Sequence, residues 1–210
     1  MDSHKRDNRK VVGVDLAGSP KRNTGICALK KDSITFCTIV HTDQEIIDYI
    51  EKEDPNLIAI DAPLNLSPGR KLMKDKNGEH FRPCDRELLR RGIPFFPITL
   101  GPMRLLTERG IPLKKALTPR GYSVIEVYPG VAQDIWHIGR KQDGLSKLCK
   151  GLQKLGVKGL NRKMSGDELD AVTAVLVGQL FLRGKAEVLG NFKRGAIVIP
   201  YTKEMAQFSL

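Results

Sequence analysis

The 210-residue sequence lacks the features of membrane-spanning, secreted and zinc-binding proteins. No apolar run approaches the roughly 20 residues that a transmembrane helix needs. The charged stretch MDSHKRDNRK at the start is followed by no apolar segment, whereas a signal peptide has one. The four cysteines are widely spaced, with neither a CxxC pair nor a Cys/His cluster at zinc spacing. We therefore expect a reduced cytoplasmic protein with no membrane partner.

Histidine is also scarce, which argues against histidine-based catalysis. The sequence has four histidines, and none lies in a pattern typical of a catalytic triad or a zinc site. Only His80 lies in a segment of functional interest, the basic segment described next. The chemistry of the chain is therefore sought among its carboxylates and basic side chains.

Positive charge is abundant, since 35 Lys and Arg residues against 24 Asp and Glu give a net charge of +11. Residues 69–120 hold thirteen of the basic residues and only five acidic ones. Such a surplus attracts polyanions through long-range electrostatics and counterion release, although a charge run often does no more than solvate a surface. We interpret this segment as a contact surface for DNA or RNA. Four arginines are the candidate phosphate contacts: Arg82, Arg86, Arg90 and Arg91.

The chain is long enough for one domain with its own core. We expect a solvated tail over residues 1–9 and a single domain over residues 10–210. An insert rich in Pro, Gly and Arg interrupts this domain at about residues 62–101, with a short helix near residues 84–91. A connection of this length is more often functional than structural.

The order of the predicted elements is typical of an α/β fold. Short β-branched runs predict five strands, at residues 10–16, 24–30, 33–40, 57–61 and 122–127. Longer amphipathic stretches predict five helices, at residues 42–53, 102–117, 129–138, 144–155 and 165–183. The first and last of these helices open with a Thr or Ser followed three residues later by Glu, which is a capping box. A final apolar run at residues 196–199 is expected to add a strand or to cover the sheet.

These elements predict one mixed five-stranded sheet with helices on both faces. The segment Gly18-Ser19-Pro20 breaks the first strand, and the tight polar turn Lys31-Asp32 joins the second strand to the third, so the first three strands should form an antiparallel meander. The fourth and fifth strands follow crossovers, and right-handed crossovers place the fourth strand parallel to the first and beside it. Asp15 and Asp61, the last residues of the first and fourth strands, then meet at the edge where ligands bind such sheets.

Four aspartates lie where this fold gathers side chains. Asp15 stands in VVGVDLAG and Asp61 in LIAIDAPLN, while Asp167 and Asp170 share one face of the last long helix in SGDELDA. Gathered carboxylates repel one another and need a cation, and Mg²⁺ or Mn²⁺ prefers oxygen ligands and often bridges to phosphate. We therefore predict these four aspartates as metal ligands and catalytic residues. Taken singly, Asp15 also fits an Asx turn, and Asp167 also fits the first turn of a helix, where acids complement the dipole.

Two further positions complete the predicted site. Glu126 ends the fifth strand in VIEVYP, and it is either an additional catalytic ligand or the partner that orients a Lys or Arg of the insert. The turn GVDLAGS resembles a phosphate-holding loop, so Ser19 is a candidate substrate contact.

At these residues the chain resembles the domain-of-unknown-function family 429. Five motifs carry the resemblance between about residues 11 and 199, in this order: GVDLAGS, IAIDAPL, RPCDRELLRRG, IEVYP and GDELDA. The resemblance implies a ribonuclease H-like fold and a nuclease activity, both of which are predictions for that family.

The wider ribonuclease H-like superfamily implies roles for single residues. DELDA is similar to the helix motif of Holliday-junction resolvases, where acids at the positions of Asp167 and Asp170 help to bind metal. Asp15 resembles the first-strand aspartate of that superfamily, and Asp61 resembles the acid that ends its fourth strand. Glu126 has no secure counterpart there, and the insert departs from a minimal core.

The leading hypothesis is a nuclease that uses Mg²⁺ or Mn²⁺ for phosphodiester hydrolysis, in which two ions activate water and stabilise the leaving oxygen. A nucleotide-binding phosphotransferase or ATPase of actin-like type is one alternative, although such enzymes usually need two related domains. A nucleic-acid-binding protein without catalysis is the other. A homodimer is one option for the assembly, because many junction-cutting nucleases of this fold class are dimers.

Overall fold

A five-stranded mixed sheet forms the centre of the computed structural model, which describes residues 9–201. Its strands are β1 (Val11–Asp15), β2 (Thr24–Lys30), β3 (Ser33–Val40), β4 (Leu57–Asp61) and β5 (Val124–Glu126). They lie in the order β3-β2-β1-β4-β5. The β1–β2 and β2–β3 pairs are antiparallel, whereas β4 lies parallel to both β1 and β5. This is the predicted α/β arrangement of three antiparallel strands followed by two parallel strands, and that fold class is confirmed. Residues 1–8 of the predicted tail lie outside the described residues.

Six α-helices connect or cover these strands within residues 9–201, and both predicted capping boxes are present. The helix predicted over residues 129–138 ends at Ile135, and a separate 3₁₀ turn, Lys141–Asp143, follows it. Of the six, none is both long and apolar enough to cross a membrane. The helices are α1 (Asp43–Glu53), α2 (Pro83–Arg90), α3 (Gly101–Leu117), α4 (Pro129–Ile135), α5 (Leu145–Lys154) and α6 (Gly166–Leu182).

Helices cover both faces of the sheet, as predicted. Alternate strand residues point to opposite faces, so Val11 and Ala59 face one core while Val12 and Ile58 face the other. The first core contains α4, α5 and α6, and the second contains α1 and α3. The sheet is therefore buried on both sides, and its carboxyl-terminal edge remains as the place for polar side chains.

Two glycines let α6 pack unusually close to the sheet. A Cβ added at Gly13 of β1 would lie 2.2 Å from the Ala171 carbonyl oxygen, and one at Gly25 of β2 would lie 2.1 Å from the Asp167 carbonyl oxygen. A side chain at either position would overlap the helix backbone. Because both residues are glycine, the acidic start of α6 can lie close to β1 and β2.

The C-terminal apolar run forms a hairpin of its own instead of extending the central sheet. β7 (Gly195–Pro200) contains the predicted run and pairs antiparallel with β6 (Ala186–Asn191), a strand that was not predicted. Cys84 and Leu88 of α2 pack into a third core cluster together with residues of this hairpin. The helix of the insert is thus anchored on the hairpin.

Candidate functional site

Asp15 and Asp61 lie side by side at the edge of the sheet. They are register partners in the parallel pairing of β1 with β4, and each is the last residue of its strand. This is the adjacency that the strand order predicts, because the carboxyl ends of neighbouring parallel strands meet at one edge.

The start of α6 brings Asp167 and Asp170 to the same place, where one lysine joins them to Asp15. Lys141 Nζ lies 2.9 Å from Asp170 Oδ2, 3.1 Å from Asp167 Oδ1 and 3.3 Å from Asp15 Oδ2. Three side chains from two elements therefore share one ammonium group, and Asp61 adjoins them through Asp15. We call Asp15, Asp61, Asp167 and Asp170 the aspartate cluster.

Lys141 lies at the centre of the site, and it was not among the residues predicted from the sequence. It lies in the 3₁₀ turn after α4, outside the basic insert and outside any motif. Arg140 holds this turn, since it donates to Asp134 Oδ1 at 2.9 Å and its backbone N–H donates to Asp143 Oδ2 at 2.9 Å. The only signal in the sequence was the general need of gathered carboxylates for a cation.

Burial and neighbouring charges shift the pKa values of Asp15, Asp61 and Lys141. Burial raises the pKa of Asp15 to about 7, with Lys141 opposing the rise and the Asp170 carboxylate adding to it. Burial also raises the pKa of Asp61 well above its ordinary value, and the nearby charge of Asp15 adds to that rise. Although burial opposes its charge, the Asp15 and Asp170 carboxylates raise the pKa of Lys141. Without a metal ion the neutral forms of Asp15 and Asp61 are therefore favoured, and a cation at the cluster would favour their charged forms.

The four aspartates differ in the hydrogen bonds that they accept. Asp170 Oδ1 accepts from Gln133 Nε2 at 2.6 Å, and that amide also donates to Thr173 Oγ1 at 3.1 Å, so a buried network fixes Asp170. Asp61, in contrast, accepts no side-chain hydrogen bond and makes no ion pair with any residue in the range 9–201. Because Asp61 is only partly buried, its carboxylate oxygens remain open to a ligand, and Asp61 is the member of the cluster best placed to bind one.

The donor set fits a hard cation, but Lys141 now occupies the shared position. Carboxylate oxygens are the ligands that Mg²⁺ and Mn²⁺ prefer. As the side chains stand, no group of three or more His, Cys, Asp or Glu residues in the described part of the chain surrounds a common ion position. Because the Lys141 ammonium contacts three of the four acids, a cation would take its place among them.

Glu126 and Arg82 form a buried pair beside the cluster. The guanidinium of Arg82 donates to Glu126 Oε2 at 2.8 Å and to Asp85 Oδ1 at 2.9 Å, and Arg82 is only 3% exposed. Glu126 Oε2 also accepts from the backbone N–H of Leu64 at 2.8 Å. Of the two alternatives for Glu126, the geometry matches the partner of an insert arginine. Arg82 itself is committed to two carboxylates, so it anchors the insert and does not present a free phosphate contact.

The other three predicted arginines lie at or near the surface. Arg86 pairs with Glu79, and Arg90 pairs with Glu87 at 2.7 Å. Arg91 pairs with Glu187 of β6. Arg86 and Arg90 keep more than half of their side-chain surface exposed, so these two remain available to phosphates at the surface.

Two cavities flank the aspartate cluster, and both include Met103 and Leu106 of α3. The larger cavity, of about 590 Å³, opens at Asp15 and Lys141. Its remaining polar lining includes Ser19, the predicted substrate contact, and two residues that were not predicted, Arg22 and Asn23. The smaller cavity, of about 220 Å³, opens at Asp61 and is lined by Phe95, Phe96 and Tyr128, with Arg82, Asp85 and Glu126 at its polar side.

A family model described as "Protein of unknown function (DUF429)" matches residues 13–193. The chain belongs to this family. Among solved structures, RuvC from Thermus thermophilus is similar to the chain with a TM-score of 0.47 and 12% identity, over 83% of this chain and 96% of that one. No curated protein matches the sequence.

The region matched by the DUF429 model includes the whole aspartate cluster, Lys141 and a second buried arginine, Arg109. Arg109 donates to Asp43 Oδ1 at 2.7 Å, to the carbonyl oxygen of Ala17 at 2.8 Å and to that of His41 at 2.6 Å. The Ala17 N–H donates to Thr24 Oγ1 at 3.1 Å. The turn after Asp15 is thus held from both sides, which keeps the rim of the larger cavity in place.

Proposed function

We propose that this DUF429 protein hydrolyses phosphodiester bonds in nucleic acid, with Mg²⁺ or Mn²⁺ held by the aspartate cluster. The observation that carries this proposal is the convergence of four aspartates at one sheet edge, with Asp61 left without a donor among the described residues. Such a site favours a divalent cation because one ammonium does not balance four acids. When bound, the cation would activate water and stabilise charge on the phosphate.

The residues around the cluster have separate tasks in this proposal. Gln133 holds Asp170 in place through a 2.6 Å hydrogen bond. Lys141 balances part of the negative charge before the cation binds and then yields its position. Ser19 and Arg22, in the larger cavity, contact the phosphate groups of the bound strand. No nucleophilic side chain is required, since water is the nucleophile in metal-assisted hydrolysis.

Nucleic acid is the proposed substrate because of the charge of the chain. The net charge is +11, and the exposed guanidinium groups of Arg86 and Arg90 lie on α2 of the insert. Phosphate contacts of this kind position a polynucleotide without reading its sequence. Binding should therefore weaken steeply as salt increases.

Lys141 also supports a second candidate, a nucleic-acid-binding protein without catalysis. An ammonium that bridges three aspartates is a complete structural ion network if no cation ever replaces it. The actin-like alternative receives less support. Residues 9–201 form a single five-stranded sheet and one two-stranded hairpin, not two related domains.

Cleavage assays on charge-neutral variants separate these candidates. Asp15→Asn and Asp61→Asn keep the shape of the side chain and remove its charge, so both should abolish Mn²⁺-dependent cleavage across a panel of DNA and RNA substrates. Asp48→Asn, on the exposed face of α1, is the matched control and should cleave like the wild type. Nuclease activity that survives both cluster substitutions would refute the proposed function, and binding without cleavage by the wild type would favour the second candidate.

A further inference from the structure

The smaller cavity, beside Asp61, has the lining of a site for one flat ring. Its volume of about 220 Å³ exceeds that of a water site, at roughly 30 Å³ per water, and falls below the roughly 300 Å³ at which drug-sized pockets begin. Three of the residues that line it are aromatic: Phe95, Phe96 and Tyr128. Met103 and Leu106 also line it.

One wall of this cavity is a stiff segment, Pro94-Phe95-Phe96-Pro97. Each proline fixes its own φ and biases the residue before it toward an extended conformation. The Tyr128 hydroxyl donates to the Pro94 carbonyl oxygen at 3.1 Å, which ties the segment to the end of β5. The two phenylalanines are therefore presented at low cost in conformational entropy.

Phe95 and Phe96 differ in how far neighbouring residues bury their rings. Phe95 is partly buried against the third core cluster and stacks edge-to-face on Phe81, with ring centroids 6.0 Å apart. Phe96 is 71% exposed, the highest value among the large hydrophobic residues that the structure describes. The Phe96 ring lines the cavity and is left open to solvent, so core packing does not account for it.

The polar side of the cavity adjoins the proposed reaction centre. Arg82, Asp85 and Glu126 satisfy one another there, so Asp61 is the acid in the lining without a partner in residues 9–201. Asp61 is also the register neighbour of Asp15, which opens into the larger cavity. A nucleotide whose phosphate lies at the aspartate cluster therefore has the larger cavity on one side and the smaller, aromatic-lined cavity on the other.

We propose that the smaller cavity holds one unpaired nucleobase of the substrate, stacked against Phe96, beside the phosphate at the aspartate cluster. This rests on the proposed function and adds the substrate class: nucleic acid with an unpaired or displaced nucleotide, in preference to a continuous duplex. A paired base is not accessible to a cavity of this kind, and extruding it costs a few kcal/mol, least for a base that is already unpaired. Each stacked base contributes about 1–3 kcal/mol.

Binding of matched oligonucleotides in the presence of a chelator tests this directly. The probes are a labelled duplex, the same duplex with a one-nucleotide bulge, and the bulged duplex with an abasic residue at the bulge, each made as DNA and as RNA. The wild type should bind the bulged probe roughly tenfold more tightly than the other two. Comparison of the DNA and RNA probes shows which sugar the site accepts.

The protein side of the test uses two phenylalanine variants. Phe96→Ala should remove the roughly tenfold preference, and folding should be intact because the side chain is exposed. Phe192→Ala, at an aromatic residue that is 48% exposed and outside this cavity, should keep the preference. Equal binding of bulged and abasic probes, or an unchanged preference in Phe96→Ala, would overturn the base site. Mn²⁺ binding and cleavage, measured separately, would then still decide the proposed function.

Discussion

Lys141 Nζ lies 2.9 Å from Asp170 Oδ2, inside a cluster where the sequence predicts a divalent cation. The same ammonium reaches Asp15 and Asp167, so it stands in part for the missing positive charge. A metal ion bound to these carboxylates would lie close to the ammonium group. Two cations so close together repel each other, particularly in a partly buried site where the effective dielectric is low. Lysine and metal should therefore compete for the same carboxylates.

Replacing the lysine should strengthen metal binding. We expect Lys141→Met to bind Mn²⁺ about tenfold more tightly than the wild type, because the competing charge is gone while the aliphatic volume remains. Calorimetric titration measures the change. In chelator, the variant should unfold at a lower temperature than the wild type because the three acids that Lys141 contacts then lack their counter-charge.

Lys150→Met, on the exposed face of α5, is the matched control for the loss of one positive charge and should change neither quantity. Metal binding that is weaker in Lys141→Met than in the control would mean that the lysine helps to hold the ion.

The raised pKa of Asp15 predicts that its neutral form is more stable without metal. Its pKa is about 7 in the folded protein against an ordinary value of 3.8, so the folded state binds the proton more tightly. This contribution to stability is complete below the ordinary pKa and is lost as the pH rises through about 7. Asn cannot ionise and escapes the loss.

Asp15→Asn in chelator should therefore be more stable than the wild type at pH 8, by about 1–3 kcal/mol in the free energy of unfolding. Urea denaturation across the pH range should show the difference shrinking toward pH 4. An equal or lower stability of the variant at pH 8 would contradict the raised pKa.

The buried Arg82–Glu126 pair should matter for stability and not for metal affinity. Removing one partner of a buried ion pair leaves an uncompensated charge and costs about 3–5 kcal/mol. We expect Arg82→Met to lose an amount of this order in urea denaturation, and Glu126→Gln to lose less because its amide still accepts hydrogen bonds. Calorimetry on Glu126→Gln should give the Mn²⁺ affinity of the wild type. A large loss of affinity would instead restore Glu126 as a ligand.

Because α6 lies so close to Gly25, a side chain at this position should displace the start of α6 and weaken the metal site. The Cβ in Gly25→Ala would lie 2.1 Å from the Asp167 carbonyl oxygen, so the start of α6 must shift outward. We expect a loss of roughly 1–3 kcal/mol or more in stability, together with weaker Mn²⁺ binding. Gly101→Ala is the control, since its Cβ would meet nothing within 4 Å. Wild-type metal affinity in Gly25→Ala would show that the position of Asp167 does not matter.

The parts of the fold with a strong local signal were predictable from the sequence. β1 and β4 are short β-branched runs that each end in Asp, and a strand order with one crossover is enough to place Asp15 beside Asp61. The capping boxes at Thr42 and Ser165 fix where two helices begin. The local sequences of these two strands are therefore enough to predict that Asp15 and Asp61 are neighbours at the sheet edge.

The remaining parts depend on contacts that are distant in sequence. Lys141 reaches the cluster only because a 3₁₀ turn after α4 faces the start of α6, and no periodicity marks that turn. The role of Arg82 depends on Glu126, 44 positions away, so its charge alone suggested a surface contact. The β6–β7 hairpin was missed because β6 has weak alternation and pairs outside the main sheet.

Calorimetric titration of Mn²⁺ into the wild type and into Asp61→Asn tests the central claim most directly. Asp61 accepts no hydrogen bond from the described residues, so its replacement removes a ligand without breaking a protein contact. The account predicts that the wild type binds Mn²⁺ and that the variant, folded and at least as stable in chelator, loses most of the affinity. Equal binding by both proteins, or none by the wild type even with a short oligonucleotide present, would contradict it.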